Sequence, residues 1–96
     1  MDDKKLYQQK KQAQLDEWKA EIAILKAKAS KASAEVQLEM NKQITTLEAK
    51  ITENKSKLAE LAKASEEGWD SVKDGVESAW DTMKSAVRDA ASKFKK

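Results

Sequence analysis

The chain has 96 residues, 40% of them apolar, but 15 of those 38 apolar residues are alanine, so few large side chains remain for a core. Charged residues reach 38%, aromatics 5%, with two glycines and no proline, a balance that excludes a β-sandwich or barrel and argues against an α/β enzyme fold. The net charge of +2 is spread thinly, and the absence of cysteine and histidine removes disulfides, thiolate nucleophiles, sulfur metal sites and the commonest general base.

Along residues 1–64 the apolar positions form one stripe. Leu15, Trp18, Ile22, Leu25, Ala29, Ala32 and Val36 follow at alternating spacings of three and four. This is a heptad pattern, whose period of about 3.5 residues keeps one seam toward a partner helix. Two spacings of four then follow, Val36 to Met40 to Ile44, which is a stutter. Alternation resumes through Leu47, Ile51, Asn54, Leu58 and Leu61. Asn54 therefore takes a seam position, where a polar residue fixes register at some cost in stability, or else marks where the partner ends and water reaches the seam.

Ala, Leu, Glu, Lys and Gln dominate this stretch, and it contains no glycine or proline. Its weakest part is 28–34, where alanine alone fills the stripe. Two readings fit: a close helix–helix contact, or a turn with Ser30 or Ser33 capping the next helix. The lack of a clear turn signal favours a continuous helix. From Asp3 to Ala64 such a helix would be roughly 93 Å long, a rod unable to bury its own stripe. Charges flanking the seam do not settle orientation: in a parallel pair Glu21 would face Lys26 while Lys50 would meet Lys55.

Residues 65–96 form a second unit. Ser65, Glu66 and Glu67 read as a helix start, with Ser65 as N-cap, two carboxylates in the positive first turn, and Ala64 and Trp69 at the staple positions. Gly68 makes 64–68 the best hinge in the chain. A repeat follows: Gly68 to Val76 matches Ala79 to Val87 at an offset of eleven, with a decayed third copy from Ala90 to Phe94. Trp69, Val72, Val76, Trp80, Met83, Val87, Ala91 and Phe94 line its apolar face. Eleven residues over three turns is about 3.67 per turn, so this face stays nearly straight and meets its partner differently from the heptads. The face suits packing on the long helix or on another subunit. It also suits a surface-lying amphipathic helix, with Lys73, Lys84, Arg88 and Lys93 toward lipid headgroups, although nearby carboxylates nearly cancel those charges.

The segment from Leu15 to Ile22, Lys42-Gln43-Ile44, the segment from Lys57 to Leu61 and the tryptophan repeat ending in Ser92-Lys93-Phe94-Lys95 resemble a group of small bacterial coiled-coil-domain proteins. The resemblance covers nearly the whole chain, departs from the group's pattern at Gln37-Leu38, and implies a helical fold class with no activity attached.

Other functions have little to stand on. Lys10, Lys11, Lys93, Lys95 and Lys96 are the densest positive spots, too diluted by acidic residues for a nucleic-acid surface. Glu35 with Glu39, and Asp70 with Asp74, share helix faces at i,i+4, yet no loop supplies the further oxygens of a calcium site. Tyr7 and Trp18 have no acid–base neighbour that marks a site. No catalytic residue, metal ligand, cofactor or small-molecule substrate is expected. The longest apolar run is four residues, 22–25, and nothing resembles a signal peptide, so the expected location is cytoplasmic.

The expected architecture is all-α: a long coiled-coil helix with a stutter plus a hinged C-terminal amphipathic helix, associating with copies of itself or with another helical protein. The rival is a monomeric three-helix bundle with helices near 3–29, 34–64 and 66–94. The expected function is a structural or protein-interaction module, the alternative being peripheral membrane or lipid binding through 65–94.

Overall fold

The computed structural model describes residues 3–94; Lys95 and Lys96, part of the C-terminal positive spot, lie outside the described residues. Three helices account for nearly all of it: α1 (Asp3–Ser30), α2 (Ala34–Lys63) and α3 (Glu66–Lys93), with no strand among the described residues. The all-α class is therefore observed, in the form of the three-helix bundle, with each helix boundary within a residue of that reading.

The helices run up, down and up. Tyr7 meets Trp69 and Trp18 meets Trp80, so α1 and α3 are parallel. Lys26 pairs with Glu48, and Glu39 with Lys93, so α2 opposes both. The bundle measures 51 × 20 × 17 Å, and its radius of gyration of 15.5 Å exceeds the roughly 12.5 Å of a compact domain this long. Backbones approach most closely along α1–α2 and α2–α3, whereas large aromatic side chains fill much of the α1–α3 contact.

A continuous helix over 3–64 is not what forms, because the chain reverses at 31–33. The physical reason is burial. A straight rod leaves its stripe in water, and a hairpin covers it at about 25 cal/mol per Å² of apolar surface. Reversal falls where alanine alone fills the stripe, so little side-chain packing is sacrificed there. The last turn of α1 closes with the Lys31 N–H donating to the Lys28 carbonyl and the Ala32 N–H to that of Ala29, both at 3.1 Å. The Ser30 hydroxyl donates to the Ala27 carbonyl at 2.7 Å. Ser33 is the N-cap residue of α2 in extended backbone (φ −63°, ψ 161°), but its side chain makes no cap hydrogen bond.

The second reversal is tighter and follows the expected chemistry. Ser65 caps α3, its hydroxyl oxygen accepting from the Gly68 N–H at 3.3 Å, with Glu66 and Glu67 in the first turn. The joint lies at 64–65, narrower than the 64–68 segment read from the sequence. Gly68 already belongs to α3, and no glycine has a positive φ. The Lys4 ammonium donates to the Ala64 carbonyl at 2.6 Å, tying the start of α1 to this joint.

Candidate functional site

The seam read from the sequence is the core of the bundle. Leu15, Trp18, Ile22 and Leu25 of α1 are buried, as are Met40, Ile44, Leu47, Ile51, Leu58 and Leu61 of α2, and Val76, Trp80, Met83 and Val87 of α3. Trp69, Val72 and Phe94 are half-buried against this core. Val36 is the exception at 44% exposed, beside the 31–33 turn. Heptad and eleven-residue stripes thus meet within one chain, which satisfies by doubling back the burial that a rod would require from a partner.

Asn54 is 3% exposed, and its amide nitrogen has no hydrogen-bond partner. Water therefore does not reach this seam position, which removes the reading in which the partner ends there. An unpaired buried amide is costly, and a polar residue in an apolar seam penalises registers that would leave it worse placed.

At the joint end, α1 and α3 are clamped by groups that sequence reasoning did not bring together. The Tyr7 hydroxyl donates to the Glu77 carboxylate, and the Lys11 ammonium pairs with the same carboxylate at 2.8 Å. The Lys73 ammonium lies 5.2 Å from the Tyr7 ring centre and 5.0 Å from that of Trp69, while those two rings meet edge-on at 5.7 Å. Such cation–aromatic contacts contribute about 0.5–1 kcal/mol at exposed sites. The sequence shows no acid–base neighbour of Tyr7 that marks a site; in space Glu77, from another helix, bonds its hydroxyl. Its one sequence signal is Lys11 on the Tyr7 face, one helical turn on.

The electrostatics of this clamp suit a fastener. Burial, then the Glu77 hydrogen bond, raises the Tyr7 phenol above its ordinary value. The Lys11 ammonium, then the Tyr7 hydroxyl, holds the Glu77 carboxyl below its usual range. Both shifts keep the phenol protonated and the carboxylate charged, which is the state that the hydrogen bond uses. One level along, the Trp18 and Trp80 rings are 6.3 Å apart and tilted by 51°, and the Trp80 indole N–H donates to the Lys11 carbonyl at 3.3 Å.

The opposite end is open. Ala32, Val36, Met40 and Phe94 line an apolar groove rimmed by Lys28, Lys31, Glu35, Glu39 and Lys93. Lys93 bonds Glu39 at 3.0 Å and holds its carboxyl below the ordinary range. Among the described residues, no group of three or more His, Cys, Asp or Glu is placed to hold a metal ion, and no helix is long and apolar enough to cross a membrane.

The eleven-residue repeat has a counterpart among known families. Residues 69–79 and 80–90 match the TMP repeat, a helical repeat family. The match covers two consecutive units of α3, beginning at Trp69 and at Trp80, and no part of α1 or α2. Neither the curated proteins nor the solved structures contain a match to this chain. What the comparison establishes is a chain whose third helix is similar to TMP repeats, carried on a helical hairpin.

Proposed function

We propose that the protein is a structural, protein-interaction module that works by packing helix on helix, with a second copy of itself as first partner and another helical protein as the second choice. One observation carries this reading. The apolar stripe of α1 continues through Ala29, Ala32 and Val36 and, across the stutter at Met40 and Ile44, onto the same helix face in α2, so this face can pair within a chain or between two. The similarity of α3 to a helical repeat family, and the earlier resemblance to small bacterial coiled-coil-domain proteins, both suit such a module. In this reading the protein catalyses no reaction, binds no nucleic acid or small-molecule substrate, and works in the cytoplasm. Sedimentation equilibrium across a wide concentration range tests it. A mass rising toward twice the 10.8 kDa of one chain supports self-association, and a constant 10.8 kDa contradicts it.

A second reading, lipid binding through 65–94, is favoured by one feature of α3. The Trp69 indole nitrogen is buried without a hydrogen-bond partner, whereas a membrane interface would supply one. Binding would require α3 to lift at 64–65 and expose Val76 and Met83, both fully buried. With neutral and anionic vesicles, a blue shift of tryptophan emission with co-flotation supports it; neither signal ends it.

A further inference from the structure

We propose that residues 31–33 form an exchange hinge: two copies of this chain open it, α1 and α2 of each become one helix, and α1 of each copy packs on α2 and α3 of the other. This deepens the self-association reading above and rests on it. Three observations carry the proposal: seam phase, hinge chemistry, and the exposure of Val36 beside the hinge.

The phase is informative because a hairpin does not require it. Two antiparallel helices joined by a turn bury their seams whatever the angular relation between them along the chain. Here the spacings Leu25 to Ala29 to Ala32 to Val36 are four, three and four, as if no turn intervened. Straightening the connection therefore yields one helix with both seams on one face, ready to pair antiparallel with its copy.

The hinge is chemically easy to straighten. Lys31, Ala32 and Ser33 include no glycine or proline, and no described residue has a positive φ. Ser33 already has a helical φ of −63°; its ψ of 161° must rotate to about −42°. No side-chain cap bond is lost when it does. Three residues are also a short connection, the kind that favours exchange over a loose opening.

Exchange conserves the fold's contacts. The Lys26–Glu48 ion pair, the Tyr7–Glu77 hydrogen bond and the Trp18–Trp80 contact all reform between copies, while α3 stays on its own α2. Where the two long helices cross, Ala29 and Ala32 allow close approach, and Val36, which the single bundle leaves 44% exposed, gains cover.

The test uses the full chain, which has no native cysteine. The single variants Lys26→Cys and Glu48→Cys are mixed, unfolded in denaturant, refolded together at high concentration and treated with a short bismaleimide. Mass is read in parallel by light scattering on unlabelled chain. The expected result is a dimer in which a Lys26→Cys chain is joined to a Glu48→Cys chain. Ser33→Ala should raise the dimerisation constant about five-fold, since alanine is the better helix former in both copies. Two glycines inserted between Ala32 and Ser33 should lower it by more than about 100-fold, by weakening the helix and breaking the phase. A dimer without the mixed cross-link, or one indifferent to the glycine insertion, overturns exchange but leaves self-association standing. A single-chain mass at every concentration, Ser33→Ala included, overturns both.

Discussion

At 64–65 the chain turns with local help: Ser65 caps α3, two carboxylates sit in the first turn, and Lys4 reaches across to the Ala64 carbonyl. At 31–33, at the other end of the bundle, Ser33 makes no cap bond and Val36 stands exposed. The joint end is also where Tyr7, Lys11, Lys73 and Glu77 fasten α1 to α3, whereas the 31–33 end holds an open groove. The difference separates two causes of a reversal. One turn is made by the residues at the turn, the other by distant residues that need cover.

If burial imposes the 31–33 turn, damage to the seam should outweigh any damage to the turn itself. Leu47→Ala, at a position 1% exposed in α2, should cost about 2–5 kcal/mol as a lower urea midpoint. A loss below about 1 kcal/mol would mean that the seam does not hold the hairpin. Asn54→Leu works on the same seam with the opposite sign. Removing an unpaired buried amide should stabilise by about 1–3 kcal/mol, while relaxing the register that the amide helps to specify. Peak broadening in the amide NMR spectrum, alongside a raised urea midpoint, would register both effects.

The turns themselves are compared by one substitution at each. Ser65→Ala removes a cap hydrogen bond and should cost about 1 kcal/mol; Ser33→Ala removes none and should change stability of the single bundle by only a few tenths. Equal losses would erase the distinction between the two ends.

The smallest effects come from pH, and of the two ends only the joint end responds on the alkaline side as well as on the acid side. Glu77 has a lowered folded pKa, so its contribution is present above the unfolded value of 4.5 and is lost as pH falls through the lower folded value. Tyr7 has a raised folded pKa, so its contribution is full below the unfolded value of 10.0 and is lost as pH climbs beyond it. Urea midpoints across pH should therefore decline on both sides, and Tyr7→Phe should flatten the alkaline decline. An unchanged alkaline slope in Tyr7→Phe would remove the phenol from the clamp.

How much of this was legible in the sequence depends on the range of the cause. Ser65, Glu66 and Glu67 announce α3 because a cap acts over four residues. The stripe from Leu15 to Leu61 and the repeat led by Trp69 and Trp80 are legible because helix geometry turns spacing into a face. The 31–33 turn is not, because Lys31, Ala32 and Ser33 are acceptable in a helix and only the wish of Ile22 and Ile51 to leave water bends the chain there. Nor is the Tyr7–Glu77 clamp, whose members are 70 residues apart with no pattern linking them. The open groove at Val36 and Phe94 needed both reversals before it existed at all.

The hairpin is tested most directly by one intramolecular distance. Spin labels at Lys26 and Glu48, whose side chains form an ion pair at 2.6 Å, should report a single short separation in dilute solution by dipolar spectroscopy. A straight helix holds those positions about 33 Å apart, and a dilute sample dominated by that distance would contradict the self-closed bundle.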